Sequence, residues 1–266
     1  MFTPEQLEEK RRKVYQEARS VFSVSLSFEE EMKYISYYCN KLIDAGIKIG
    51  FNRFERYTAL AIMQRVYLTR SIWEIPPPLA MIMSLFIVSK FNHDVMIDSF
   101  IVKLGFGSNF EEKYKVQRQM PQIEIQVLEA IDFKLKIHLP FHQVTAICDG
   151  KPYADKQEEC QQFLFELLQT DALFLYTPGQ LAVAAVAKIV GHDQALEAVK
   201  DIPVPEDAPD LATIIDEIIW LEPIQVTEEE IQHYEEVLGP EYGLFHIISE
   251  EKKKKKNLTN PTTLTP

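Results

Sequence analysis

Apolar positions recur along most of this chain at the three- and four-residue spacing of helices, and few segments alternate as half-buried strands do. The nine glycines and fifteen prolines lie mostly between these periodic runs. Two runs, PPPLAMIMSLFIVSK at residues 76–90 and YTPGQLAVAAVAKIV at 176–190, are apolar nearly all round. A helix of that kind belongs at the centre of a bundle. The pattern therefore predicts an all-α protein.

Three segments carry strong signals for helix ends. Thr3, Pro4 and Gln6 form a cap, a helix-starting proline and a capping-box partner for a first helix. A second helix is predicted over residues 28–46, with Gly46 as its stop. Thr227 and Glu230 form another capping box, and the helix that they open is predicted to end at the Gly239-Pro240 pair.

One helical pattern occurs twice. In each copy a proline-led apolar helix follows an amphipathic helix, and the Leu-Ala pairs at 79–80 and 181–182 lie about one repeat apart. We therefore predict two similar helical bundles in tandem, flanked by terminal helices. The predicted units are N-terminal helices at 1–50, repeats at 51–138 and 139–222, a C-terminal helix at 223–249 and a disordered lysine-rich tail at 250–266.

Two charged residues stand where a hydrophobic residue is expected. Lys90 lies three and four residues after Ile87 and Phe86, and Glu124 lies three and four residues before Val127 and Leu128. One interpretation is that the two side chains meet as an ion pair. The alternative is that each lies at a helix end or stripe edge and reaches water independently. Periodicity alone leaves both interpretations open.

Charge and composition disfavour several classes of protein. The net charge is −12, and without the five lysines at 252–256 it becomes −17, so the body should repel phosphate backbones. Three cysteines and six histidines are scattered without the spacing of a metal site. Glu230 and His233 have the spacing of a carboxylate–histidine metal pair, but only once and in a polar helix. No phosphate-binding glycine loop or kinase catalytic motif is present, so no cofactor is expected.

Targeting signals are few. The N-terminus lacks the apolar core of a secretory signal, which predicts that the chain stays inside the cell. The apolar run at 79–89 is too short to span a bilayer, so no membrane association is expected. The lysine run fits either a nuclear-import signal or a solubilising tail.

The chain resembles the cyclin family, and within it the H type, over about residues 2–245, which implies that each of the two tandem bundles is a five-helix cyclin fold. The resemblance rests on FTPEQLEEKRRK at 2–13, RVYLTRSIWEIPP at 65–77 and TDALFLYTPGQLAVAAV at 170–186. In this family a lysine and a glutamate of the first repeat pair with each other and contact the kinase segment before its αC helix. The residues that match the family's kinase-contact positions are Lys90, Phe91, Glu124, Leu128, Phe133 and Leu135. Family members often have several acidic residues soon after this lysine, whereas this chain has only Asp94.

The resemblance implies a non-catalytic regulatory subunit. Its expected partners are a cyclin-dependent kinase of the CDK-activating type, a third assembly subunit and general transcription factor IIH, without direct nucleic-acid binding. Such complexes phosphorylate kinase activation segments and the RNA polymerase II tail, so a nuclear location is expected, with the cytoplasm as an additional one. The alternatives are another transcription-linked cyclin, of the C, K or T type, and a B-type initiation factor, which the acidic charge disfavours.

Overall fold

The computed structural model describes residues 1–92, 110–202 and 210–239, with side chains for all of these except 92 and 110–119. Within these ranges the chain forms twelve α-helices and one short 3-10 helix, and no strand. The all-α prediction is confirmed.

The first five helices run from the N-terminus to the end of the first bundle. They are α1 (Pro4–Val21), α2 (Phe28–Lys48), α3 (Arg53–Val66), α4 (Pro77–Asn92) and α5 (Phe110–Ala130). The others are α6 (Phe141–Cys148), the 3-10 helix (Ala154–Lys156), α7 (Gln157–Leu167), α8 (Ala172–Leu175), α9 (Pro178–Val190), α10 (His192–Val199), α11 (Leu211–Ile219) and α12 (Glu228–Leu238).

The two most apolar helices lie at the centres of two bundles, as predicted. Helix α4 packs against α2, α3 and α5, and its residues 79–89 are buried apart from Met81. Helix α9 packs against α6, α7, α10 and α11, and its residues 181–187 are all buried. Burial of apolar surface on every side of a helix explains why these segments lack a polar face.

Terminal helices flank the bundles. Leu7 of α1 packs against Leu68 after α3 and against Phe174 of α8, so α1 contacts both bundles. Helix α12 lies on α2, where Lys33 pairs with Glu230. The domain boundaries given above stay predictions. Residues 240–266, which include the last part of the predicted unit at 223–249 and the lysine tail, lie outside the described residues.

The predicted capping boxes are confirmed. At the start of α1, the Thr3 side chain accepts from the Gln6 N–H, and the Gln6 side chain accepts from the Thr3 N–H at 3.0 Å. The Thr227 and Glu230 pair does the same at the start of α12, which ends before Gly239 in a positive-φ conformation of 76°. These contacts satisfy backbone groups that each helix end leaves unpaired.

The prediction that the second helix stops at Gly46 is wrong. Helix α2 continues to Lys48, and the glycine with left-handed backbone is Gly50, at φ 84°. Gly46 is buried where α3 comes close, and a Cβ there would lie 2.6 Å from Cγ of Arg56. The glycine therefore serves close helix packing rather than helix termination.

The apolar spacing that follows Glu124 continues through Val127, Leu128 and Ile131 to Leu135, which predicts a helix to that point, but the helix ends earlier. Helix α5 ends at Ala130, so Leu135 does not continue the apolar stripe that contains Leu128. Asp132 and Phe133 adopt positive φ angles of 56° and 53°, which takes the chain out of the helix. Apolar spacing alone could not show this, because Leu135 packs against the core from an irregular segment.

Candidate functional site

The two charged residues of the apolar stripes form an ion pair. Lys90 Nζ lies 2.6 Å from Glu124 Oε1 and 2.7 Å from Oε2, although 34 positions separate the two residues. The lysine side chain is 44% exposed and the glutamate side chain 21%. The predicted pairing is confirmed, and the pair lies at the surface of the first bundle between α4 and α5 rather than in its core.

Local structure holds the lysine in place. Lys90 lies in the last turn of α4, where a cation complements the helix dipole. Its ammonium lies 4.7 Å from the centre of the Phe86 ring, one turn earlier. A contact of this kind contributes roughly 0.5–1 kcal/mol at an exposed site. Both described hydrogen bonds of Lys90 go to the Glu124 carboxylate, and an ammonium group has three N–H donors in all.

The predicted apolar contact residues fall into two groups. Phe91 and Phe133 are 59% and 61% exposed, which is unusual for large aromatic side chains. Leu128 and Leu135 are partly buried and pack against the core. Phe91 and Phe133 are therefore available to a partner, whereas the two leucines pack beneath the surface against the core.

Ile125 is a further exposed apolar side chain beside Glu124, and the sequence interpretation missed it. Its position next to a stripe residue gives no periodic signal, because a neighbour on a helix points away from the stripe. Only its exposure in the structure marks it as a candidate contact residue.

A tight turn connects α5 to Leu135. The Phe133 N–H donates to Leu128 O at 2.8 Å, and the Asp132 N–H donates to Glu129 O at 3.0 Å. Together these bonds form a Schellman motif, in which the first residue after the cap is left-handed. Asp132 fills that position and Phe133 is left-handed as well. Such backbone costs roughly 1–2 kcal/mol for each residue that is not glycine.

Side chains of the α3 region hold this turn. Arg65 donates to Lys134 O at 2.6 Å and to Ile131 O at 3.3 Å, on either side of the two left-handed residues. Thr69 donates to Ala130 O at 2.7 Å. Partial burial lowers the pKa of Arg65 from its usual value, yet an arginine remains charged at any physiological pH. The sequence interpretation missed Arg65, because its acceptors are backbone carbonyls far along the chain.

The described residues contain no group of histidine, cysteine or acidic side chains arranged to hold a metal ion. Cys39, Cys148 and Cys160 are buried and free. Burial raises the pKa of Cys39 and, together with the neighbouring Cys148, the pKa of Cys160, each to about 12. Both thiols are therefore protonated and unreactive as nucleophiles at neutral pH. None of the helices in the described ranges is long and apolar enough to cross a membrane.

Comparison with curated proteins finds several cyclins. The cyclin mcs2 of Schizosaccharomyces pombe is 26% identical over 177 residues, which are 62% of this chain and 52% of that protein. Cyclin-H of Xenopus laevis is 26% identical over 173 residues, 61% of this chain and 53% of that protein. The chain thus spans about half the length of the curated relatives that it matches. No protein-family model matches it.

Solved structures give the same result for the fold. A chain of the CAK complex from Chaetomium thermophilum, bound to ATP-γ-S, matches with a TM-score of 0.77 and 20% identity, over 99% of this chain and 93% of that one. A chain of the yeast TFIIK (Kin28/Ccl1/Tfb3) complex matches with a TM-score of 0.67 and 23% identity, over 82% and 93%. The chain is similar in sequence to cyclins of the H type, and its fold is the cyclin fold. The cyclin fold explains the two bundles with central apolar helices α4 and α9.

Proposed function

We propose that this cyclin is a non-catalytic regulatory subunit that binds and activates a cyclin-dependent kinase of the type found in transcription factor IIH. The observation that carries the proposal is the ion pair of Lys90 and Glu124 at the surface. Phe91, next to Lys90 on α4, and Phe133, in the turn after α5, are both exposed. An ion pair at the surface beside exposed aromatic side chains is suited to a protein partner. The similar cyclins and the CAK and TFIIK structures support the same conclusion.

The mechanism is positional. A protein kinase is active only when its catalytic lysine pairs with a glutamate of its αC helix. A rigid surface that binds the active arrangement better than the inactive one shifts the kinase toward activity by the difference in binding free energy. Lys90 would donate to backbone carbonyls before αC, and the exposed aromatic rings would pack beside them. The cyclin itself needs no nucleotide or metal for this role.

Assembly with a third subunit belongs to the same proposal. The yeast TFIIK structure that this chain resembles contains three proteins, Kin28, Ccl1 and Tfb3. By analogy, the complex would act on kinase activation segments and on the RNA polymerase II tail in the nucleus. The acidic body argues against direct contact with nucleic acid, because it repels phosphates.

The decisive experiment is purification of the native complex through a tag on this chain, followed by identification of the bound kinase and by reconstitution from recombinant subunits. The kinase should gain activity toward a polymerase-tail peptide when the chain is added, and the chain alone should not hydrolyse ATP. A kinase of the type that pairs with C, K or T cyclins would favour that alternative. Tight binding to promoter DNA without a kinase would instead support the B-type initiation factor.

A further inference from the structure

The turn after α5 combines backbone strain with exposure. Asp132 and Phe133 are consecutive left-handed residues, and neither is glycine. Aspartate tolerates this conformation through local hydrogen bonds, whereas phenylalanine gains nothing there. The Phe133 side chain is also largely exposed, so the conformation does not serve to bury it. Backbone strain that persists without a packing benefit indicates a functional constraint.

The strain is held from outside the turn. The Arg65 guanidinium bonds to the carbonyls of Ile131 and Lys134, which enclose the two left-handed residues, and Thr69 bonds to the carbonyl of Ala130. A planar guanidinium offers several N–H donors in a fixed fork, so a single side chain bridges both carbonyls. An ammonium group offers a point charge and would not fix both at once.

We propose that Arg65, assisted by Thr69, is a positioning residue that holds the strained turn so that the Phe133 ring is presented to the kinase. This inference rests on the proposed function. It gives α3 a part in kinase binding, although α3 contributes no residue to the Lys90–Glu124 ion pair. The first bundle thus holds two contact elements rigidly, the Lys90–Glu124 pair and the Phe133 turn. A ring held in place loses less conformational entropy on binding than a mobile ring.

The first test needs no kinase. Amide hydrogen exchange is measured for the Phe133 and Lys134 N–H groups, which donate to Leu128 O and Ile131 O. Arg65→Gln should speed their exchange about tenfold, because the turn opens more often, and Arg65→Lys should give an intermediate rate. The control is Arg70→Gln, because the Arg70 guanidinium makes only local contacts, a hydrogen bond to the Thr69 carbonyl at 3.4 Å and an ion pair with Glu74 at 4.0 Å. Unchanged exchange in a folded Arg65→Gln variant would overturn the proposal.

The second test is a double-mutant cycle on the dissociation constant for the kinase identified in the native complex. Arg65→Gln should weaken binding about tenfold in the wild-type background but less than about twofold when Phe133 is already alanine. Equal losses in both backgrounds would show that Arg65 does not act through Phe133. Arg65→Lys, which should bind with intermediate affinity, keeps the test usable if the glutamine variant melts too low.

The outcomes separate this inference from the proposed function. A wild-type chain that binds no cyclin-dependent kinase would overturn the proposed function, and the binding part of this inference would fall with it. A kinase complex that forms normally with Phe133→Ala would leave the proposed function intact and overturn this inference alone. Faster exchange together with a non-additive cycle would support it.

Discussion

At the scale of single residues, the Lys90–Glu124 pair is informative because it is only partly shielded from water. Removing one partner of a fully buried pair is strongly destabilising, because the other charge is left uncompensated, whereas a half-exposed pair contributes little. With the lysine side chain 44% exposed, the pair belongs to the second kind. The role that we propose for the pair is therefore binding to a kinase rather than stabilisation of the fold.

Replacement of Lys90 by glutamate should leave the fold intact and lower the unfolding free energy by only about 1–2 kcal/mol, since two carboxylates then meet in a partly wet site. Kinase binding should be lost, because an anion replaces the donor that faces carbonyl groups. Melting curves and a kinase pull-down measure the two effects. The matched control is Lys41→Glu, because Lys41 is 43% exposed, pairs with Glu228 and lies 5.0 Å from the Tyr37 ring.

The double variant Lys90→Glu with Glu124→Lys should recover stability better than kinase binding. The internal pair is restored in it, but the charge presented outward stays reversed. If Lys90→Glu activates the kinase normally, Lys90 is only a helix-end lysine and the candidate site is wrong.

Glu31 is a second residue whose environment has a measurable consequence. It is 2% exposed and accepts a hydrogen bond from Trp73 Nε1 at 2.8 Å. Burial raises its pKa from 4.5 to about 7, and the tryptophan bond only partly opposes this. Because the folded state holds the proton more tightly, Glu31 favours folding most below about pH 4.5, and this contribution is lost as the pH rises through about 7.

Glu31→Gln should therefore stabilise the protein at pH 8 by about 1–3 kcal/mol, with little difference at pH 5. The glutamine keeps an acceptor for Trp73 but cannot ionise. Denaturant unfolding at several pH values measures the effect, with the exposed Glu9→Gln as control. Parallel stability curves for Glu31→Gln and the wild type would show that burial does not perturb this carboxyl.

At the scale of elements, the contact between α2 and α3 explains Gly46. A glycine inside a helix costs about 1 kcal/mol relative to alanine, so its presence requires a reason. That reason is the Arg56 side chain, whose Cγ and Cδ would lie 2.6 and 3.1 Å from an added Cβ. Cγ lies near the root of the arginine side chain, so it has little freedom to move aside.

The effect of Gly46→Ala should consequently change sign with the residue at position 56. In the wild-type background it should destabilise the chain by about 1–2 kcal/mol through the overlap. In the Arg56→Ala background, where Cγ and Cδ are absent, it should stabilise by about 0.5–1 kcal/mol through helix propensity. Chemical denaturation of the four proteins completes the cycle. Additive effects would mean that Arg56 is not the obstacle.

At the scale of the whole molecule, α1 joins the two bundles. Leu7 fills the space between Leu68 and Phe174, and Arg11 makes two hydrogen bonds to Asp171, at 2.5 and 2.7 Å. The Phe2 N–H also donates to Phe174 O at 2.9 Å. These contacts couple the stability of one bundle to that of the other.

Leu7→Ala should lower the unfolding free energy by about 2–4 kcal/mol, because it removes a buried side chain and leaves a cavity. Thermal unfolding should remain a single transition at a lower temperature, because Tyr57 and Gln64 of α3 also bond directly to backbone carbonyls of the second bundle. Calorimetry of this variant, compared with the exposed Gln16→Ala on the same helix, measures both effects. Two resolved transitions would show that α1 alone couples the bundles.

Much of this architecture follows from the sequence itself. Local spacing in the sequence predicts the all-α class, the two central apolar helices and the capping boxes. Each of these features depends on residues within a few positions of one another. The stripe positions of Lys90 and Glu124 are local in the same way. Net charge, a property of composition alone, was sufficient to disfavour nucleic-acid binding.

The tertiary structure decided what depends on contacts between distant segments. Periodicity left the Lys90–Glu124 pair open, because 34 intervening positions place no constraint on whether two helix faces meet. It misassigned Gly46, because the reason for that glycine is a side chain on the next helix. It could not find Arg65, whose acceptors are backbone carbonyls, since every residue carries a carbonyl and only the folded chain determines which ones a side chain reaches.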